Sequence, residues 1–268
     1  MRFVKMQGIG NDFIVVNGFE YRDLPDPGAL ARRICDRHFG IGGDGLIWMV
    51  PSDVAHARMR IFNSDGSEPE MCGNGLRCAA RFLRDAGICT SDVMTIETLA
   101  GVLSVRLDAQ GITADMGAPC LIPEKIPVAA PSNRVNISLE GHSMEFFCVS
   151  MGNPHAVTFD IYPEDESFYR LGAALERHPL FPARANIEFC RVHEGGIDVR
   201  VWERGDGETL ACGTGACAVL TAAASLGLTG KASDIHLPGG TLHIKWGEDG
   251  HLHMTGPAET VFSGDYPL

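Results

Sequence analysis

The chain has 268 residues, 45% of them apolar, and a formal charge of −12. That length suits one large domain or two ordinary ones, with enough apolar side chains for a full core. The charge argues against a nucleic-acid partner, which needs a basic face, and no apolar run is long enough for a membrane span. The N-terminal "MRFVKMQGIGNDF" has lysine and glycine where a secretory signal needs an apolar run. A cytoplasmic location is therefore expected.

In chain order, 2–6 and 12–17 read as strands. "DPGALARRICDRH" (26–38) reads as a helix, with Asp26 as N-cap and Pro27 at the first helical position. "GIGGDG" (40–45) formally matches a dinucleotide-binding signature. It lies after a helix and before the apolar strand "LIWMV", the reverse of the required context, and so reads as a tight glycine loop. "HARMRIF" (56–62) alternates as a half-buried strand, and "GLRCAARFLRDAG" reads as a helix closing on Gly87. Strands at 93–98, 101–107 and 111–115 follow, then a stretch rich in proline and alanine near 118–133 that reads as a linker. "RVNISL", "EFFCVSM", a helix near 167–177, "IEFCRVH" and "IDVRVWER" come next. "GTGACAVLTAAASLG" is apolar on nearly every side, the pattern of a buried helix. Strands around 233–237, 240–246 and 251–255 complete the reading.

The two halves align with each other. Residues 60–87 lie over 200–227 without a gap, matching Arg60 with Arg200, Glu68 with Glu208, Cys72 with Cys212, Gly73 with Gly213, Gly75 with Gly215 and Gly87 with Gly227. Residues 100–117 lie over 239–256, and the "GN" at 10–11 answers the "GN" at 152–153. An internal duplication is the economical account. It predicts an α+β protein of two similar domains with a cleft between them: 1–118, with or without the tail 262–268, and 119–261.

Nine cysteines, an odd number without regular short spacings, do not form a disulfide framework. Cys35, Cys89, Cys120, Cys148 and Cys190 read as small buried apolar residues. Cys72 and Cys212 differ, because each starts a helix within a Cys-Gly-x-Gly turn. Free N–H groups and the helix dipole favour an anion there, and a thiolate so placed is expected to have a lowered pKa. Two such turns facing one carbon would give a base on one side and an acid on the other, the requirement for inverting a stereocentre. The same N–H groups would hold a carboxylate as it gains charge. A zinc site from Cys72, Cys78, Cys212 and Cys217 fits poorly, since the pairs are spaced unlike the usual short knuckles. A Cys72–Cys212 disulfide on oxidation is compatible with either role.

The chain resembles the pyridoxal-independent diaminopimelate epimerases over essentially its whole length. The resemblance rests on "KMQGIGNDFIVV", "RHFGIGGDGLI", "RIFNSDGSEPEMCGNGLRC", "VSMGNPHAV", "ANIEFC", "RVWERGDGETLACGTGAC" and "HLPGGTLHIKW". It implies interconversion of LL- and meso-2,6-diaminopimelate, without metal or cofactor, by a homodimer. The implied fold is a duplicated unit in which a barrel-like sheet wraps a central helix. By the same resemblance Cys72 and Cys212 are the two acid/base residues, and Gly73, Asn74, Gly213 and Thr214 donate to the reacting carboxylate. Asn11 lies in the N-terminal substrate motif. Asn63, Asn153, Asn186 and Arg204 would clamp the distal end, and His155 and Glu203 would meet the amine beside the reacting carbon.

Taken singly, several of these have ordinary readings: Asn11 and Asn153 as turn residues, Asn63 as a loop cap, His155 as a packed histidine, and "WERGDGE" as a solvated turn. Arg204 is the stronger case, because a chain this acidic needs a fixed cation to recognise a dicarboxylate. Gly45 departs from family members that carry glutamine there. The competing functions are a cofactor-free racemase of proline, hydroxyproline or histidine, and a non-catalytic amino-acid-binding protein. A thiol redox protein would need the C-x-x-C motif, absent at both cysteines.

Overall fold

The computed structural model describes residues 1–268. Contacts divide the chain into two compact units, Met1–Asp115 with Thr255–Leu268, and Met116–Met254. In the first unit the elements are β1 (Arg2–Gly8), β2 (Asn11–Asn17), α1 (Pro27–Ile34), β3 (Gly45–Val50), β4 (Ala57–Asn63), α2 (Gly73–Asp85), β5 (Val93–Thr98), β6 (Gly101–Asp108) and β7 (Gly111–Asp115). In the second they are β8 (Arg134–Leu139), β9 (His142–Ser150), β10 (Pro154–Thr158), α3 (Ser167–Glu176), β11 (Asn186–His193), β12 (Gly196–Glu203), β13 (Gly207–Glu208), α4 (Gly213–Ser225), β14 (Ala232–Leu237) and β15 (Gly240–Trp246), and β16 (Leu252–Gly256) begins in the second unit and ends in the first. The last strand, β17 (Glu259–Asp265), pairs antiparallel with β1 in the first unit. No helix is long and apolar enough to cross a membrane.

Both units repeat one order of pairing. From β1 to β6 the neighbours run antiparallel, parallel, antiparallel, parallel, antiparallel. From β9 the series through β10, β11, β12, β14 and β15 is the same. The registers agree as well. Ala57 pairs with Ile96 and Ile96 with Leu103, as Ile197 pairs with Ile235 and Ile235 with Leu242. The duplication inferred from the sequence is therefore present in the backbone.

Each unit encloses its own helix. α2 packs against β1 to β7, and α4 against β9, β10, β11, β14 and β15. From Gly213 to Ala223 every residue of α4 except Thr214 is buried, as its all-round apolar pattern predicts. The outer face of each sheet is covered by a second helix. Leu30, Ala31 and Ile34 of α1 pack with Ile14, Leu46 and Trp48, while Phe168, Leu171 and Leu175 of α3 pack with Phe146, Ile187 and Phe189.

Two identities shared by the halves acquire a physical meaning. Arg60 Nε and Nη2 donate to the two oxygens of Glu68, each at 2.8 Å. Arg200 Nε and Nη2 donate to Glu208 Oε1 at 3.0 and 2.6 Å. Arg60 also lies over the Trp48 and Phe62 rings, and Arg200 over Phe168 and Tyr169. In each unit this clamp ties the strand before the cysteine to the loop that carries it.

Some expected elements differ. The first helix stops at Ile34, because the Asp36 carboxylate accepts from the N–H groups of His38 and Phe39 and turns the chain. The expected linker near 118–133 is structured: Pro123–Lys125 form a short 3₁₀ turn, and Ile126 and Val128 join the core of the second unit. Proline there shapes a turn rather than a tether. Strands β10 and β17 have no counterpart in the sequence reading. β10 starts on proline and is buried throughout, and β17 is almost wholly exposed, so neither alternates.

Leu220 is fully buried in α4. Leu220→Ala is expected to destabilise the protein by about 2–5 kcal/mol, read as a lower urea midpoint in chemical denaturation.

Candidate active site

Both cysteine turns are built alike. Cys72 is the N-cap of α2 in extended backbone, and its sulfur accepts the Gly75 N–H at 3.5 Å. Cys212 is the N-cap of α4, and its sulfur accepts the Gly215 N–H at 3.3 Å. Each sulfur thus fills the position of a capping oxygen, at the positive end of a 13-residue helix. A Cβ on Gly215 would lie 3.1 Å from the Cys212 sulfur, so glycine is what allows the turn to close this tightly.

In the first unit Asn11 joins the Cys72 turn. Its Oδ1 lies 3.7 Å from the Cys72 sulfur and 3.1 Å from Asn74 Nδ2. Asn74 is buried, and its Oδ1 accepts from the buried Arg77 at 3.0 Å. Asn11 is fixed from behind, since its Nδ2 donates to Asp44 at 2.7 Å and Arg37 bridges Asp44 and Asp12. Burial opposes the charge on Asp12, but Arg37 and Lys5 hold its carboxyl down to about 2. Asn63 stands apart from this cluster: it is exposed at the end of β4 and donates to Ser67 at 3.0 Å. At Gly45 a Cβ would come 2.8 Å from the Phe62 carbonyl oxygen, so this strand is shaped for glycine.

In the second unit the polar groups are denser. Asn153 Oδ1 lies 3.0 Å from His155 Nε2, and its Nδ2 donates to Thr214 Oγ1 at 3.3 Å. Thr214 Oγ1 is 3.6 Å from the Cys212 sulfur. His155 Nδ1 meets Glu188 at 2.6 Å, with both side chains fully buried. Asn186 Oδ1 accepts the Arg204 N–H at 2.7 Å, and its Nδ2 donates to the Pro154 carbonyl at 3.1 Å. Glu203 accepts from Thr209, and desolvation raises its carboxyl above the ordinary value. The Arg204 side chain is exposed and donates to the Ala183 carbonyl at 3.1 Å without an ion pair. A depression elsewhere in this unit, lined by His142, Tyr162, Glu164 and Ser167, contains none of these groups.

The lowered thiol pKa expected at helix starts does not hold for Cys212. Burial, then the charges of Glu203 and Glu188, push its thiol well above the ordinary value. The Thr214 hydroxyl and the Gly215 N–H pull the other way but are outweighed. A helix N-terminus favours an anion only when desolvation and nearby carboxylates do not cost more. Cys212 in this state is a thiol, the proton-donating form.

Sequence reasoning passes over Glu188, Arg77 and the Lys5–Asp12–Arg37–Asp44 network. Glu188 and Arg77 do leave a trace: each is a charged residue inside an otherwise apolar stretch, "IEFC" and "GLRCAA". All nine cysteines are free thiols. Cys35, Cys89, Cys148 and Cys190 are buried, whereas Cys120 is half-buried in a bridge to Ser150.

Residues 3–122 and 147–261 match the family model described as diaminopimelate epimerase. The chain is 50% identical to the diaminopimelate epimerase of Desulfitobacterium hafniense, over 98% of this chain and 97% of the relative. The chain belongs to the diaminopimelate epimerase family. It is likewise 50% identical to the Desulfovibrio desulfuricans diaminopimelate epimerase, over 99% of this chain and 98% of that one. At the level of fold it is similar to a probable proline racemase from Agrobacterium radiobacter, with a TM-score of 0.72 at 17% identity, covering 100% of this chain and 93% of the other.

Burial raises the Cys35, Cys78 and Cys148 thiols to about 12. An unfolded thiol ionises near 8.5, so the folded state holds these protons longer. Stability is therefore full below that value and falls as pH rises toward about 12. The urea midpoint is expected to drop between about pH 9 and about pH 11; chemical denaturation at a series of pH values checks this.

Proposed function

We propose that this protein epimerises LL- and meso-2,6-diaminopimelate by a two-cysteine acid/base reaction. The observation that carries the reading is the pair of matched cysteine turns, each with its sulfur at a helix N-terminus, in a chain of this family. In the scheme one sulfur, as thiolate, removes the proton from the α-carbon. The C–H electron pair passes into the carbon and its carboxylate. The other sulfur, as thiol, gives a proton to the opposite face, and the two sulfurs exchange charge states. For substrate of the opposite configuration the roles reverse.

The backbone N–H groups of Gly73, Asn74, Gly213 and Thr214 are assigned to the reacting carboxylate. Such groups at helix starts are unpaired within the helix and need no reorganisation as the carboxylate gains charge. Cys212 enters as the acid in this state, because burial, then Glu203 and Glu188, oppose a charge on its sulfur. His155 and Glu203 are assigned to the reacting amine. Asn11, Asn63, Asn153, Asn186 and Arg204 are assigned to positioning substrate, the last four at the distal amino-acid group. Arg204 suits this role, since its cation has no carboxylate partner in the chain and Arg binds carboxylates by two parallel hydrogen bonds.

The reading includes chemistry without pyridoxal, a homodimer and a cytoplasmic location. A Schiff-base cofactor would need a free lysine among these groups, and the buried Lys5 is held by Asp12 at 2.6 Å.

Cys72→Ala and Cys212→Ala are each expected to cut epimerisation by about a thousand-fold or more while leaving the circular dichroism spectrum intact. Full turnover by either variant contradicts the scheme. Arg204→Met is expected to raise KM for diaminopimelate by roughly ten-fold or more with a smaller effect on kcat. Proline and histidine, assayed alongside, are expected to show no α-proton exchange in D₂O.

A further inference from the structure

The two-cysteine scheme leaves a buried carboxylate with no stated task. Glu188 sits in the middle of β11 with no exposed surface. Its Oε1 lies 2.6 Å from His155 Nδ1 and would lie 3.0 Å from a Cβ on Gly215. Its Oε2 is buried without a hydrogen-bond partner. Burying a carboxylate oxygen that no donor meets costs free energy, so packing alone does not account for it.

The first unit shows what packing alone puts at this place. Glu188 pairs with Val201 across the β11–β12 ladder, and at the matching register Ile47 pairs with Ile61. Ile47 Cδ1 would lie 3.3 Å from a Cβ on Gly75, as Glu188 Oε1 does at 3.0 Å from one on Gly215. One backbone plan thus carries an aliphatic side chain beneath one cysteine turn and a carboxylate beneath the other.

We propose, resting on the two-cysteine reading, that Glu188 is a positioning residue for Cys212: it fixes the His155 ring and keeps the proton on sulfur until substrate takes it. Two lines of contact lead to this. The first is a continuous chain of polar groups. Glu188 Oε1 meets His155 Nδ1, His155 Nε2 meets Asn153 Oδ1, Asn153 Nδ2 donates to Thr214, and the Thr214 hydroxyl reaches the sulfur. Fixing the ring at one end fixes which way each member points. The second is charge. The groups acting on the Cys212 sulfur are Glu203 of β12, Glu188 of β11, and Thr214 and Gly215 of its own helix. His155 of β10 and Asp206 act on Glu203 in turn. Glu188 adds a negative charge that substrate does not reach, so it still opposes the thiolate when the site is occupied. In the proton transfer the S–H bond breaks, a C–H bond forms, and sulfur keeps the electron pair. Glu188 neither gains nor loses a proton.

The test compares the full-length wild type with Glu188→Gln and Glu188→Ile. Two readouts are taken across pH: iodoacetamide labelling of Cys212, located by peptide mass spectrometry, and kcat/KM for LL-diaminopimelate. Glu188→Gln removes the charge and keeps the shape, so the labelling midpoint of Cys212 should fall by roughly one pH unit. The alkaline limb of the kcat/KM profile should move the same way, since that profile reports ionisations of the free enzyme. Glu188→Ile also removes the ring's anchor and should lower kcat by about ten-fold or more. A Gln variant whose midpoint and alkaline limb match the wild type, or move upward, overturns the proposal, whether or not the Ile variant folds. A wild type that does not epimerise diaminopimelate overturns the two-cysteine reading instead, and the labelling midpoints still decide the effect of Glu188 on sulfur.

Discussion

Each long helix of this protein begins on a cysteine whose sulfur accepts the N–H three residues further along, at Gly75 and at Gly215. That bond does two things at once. It caps the helix, which would otherwise leave an N–H unpaired, and it holds the sulfur, the proton-transferring atom of the proposed scheme, at the end of a rigid element. The turn closes only because glycine follows: a side chain at Gly215 would press on the sulfur and on Glu188 together. The rest of each unit reads as support for this turn. The strands enclose the helix, the Arg60–Glu68 and Arg200–Glu208 clamps tie the loop to the strand before it, and outer helices seal the far face of the sheet.

The duplication fixes the geometry of both turns and leaves their surroundings free to differ. Behind Cys72 the matching strands present Phe13, Gly45 and Ile47; behind Cys212 they present His155, Asn186 and Glu188. A reaction that takes a proton at one sulfur and delivers one at the other needs sulfurs of unequal character at any instant. Burial, Glu203 and Glu188 supply a bias of that kind at Cys212, where all three favour the thiol. Repetition provides the scaffold, and departures from repetition provide the chemistry.

Much of this is legible in the sequence because it rests on local pattern. The buried helix at 213–225 follows from an apolar stretch with no polar face, and the two turns follow from Cys-Gly-x-Gly before a helix. The duplication is visible in six aligned identities, two of which prove to be the partners of one ion pair. What sequence does not reveal depends on groups far apart along the chain. The Cys212 thiol is raised by burial and then by Glu203 and Glu188, on strands no local motif joins, so helix position alone predicts its direction wrongly. Glu188 is hidden because a charged residue in a strand usually faces solvent, and only the sheet register places it beneath the helix. The false linker at 118–133 arises from composition: proline and alanine describe a tether or a packed turn equally well, and Ile126 and Val128 decide it by entering the core.

The central claim is that one sulfur removes the substrate proton and a different one delivers its replacement. The most direct measurement is partial conversion of LL-diaminopimelate in D₂O, stopped early, with deuterium at the α-carbon measured separately in product and recovered substrate. Two sulfurs predict product that carries deuterium and substrate that keeps its protium. Deuterium in recovered LL-diaminopimelate at the level of the product, or product that retains the original proton, would mean that a single group serves both faces and would contradict the account.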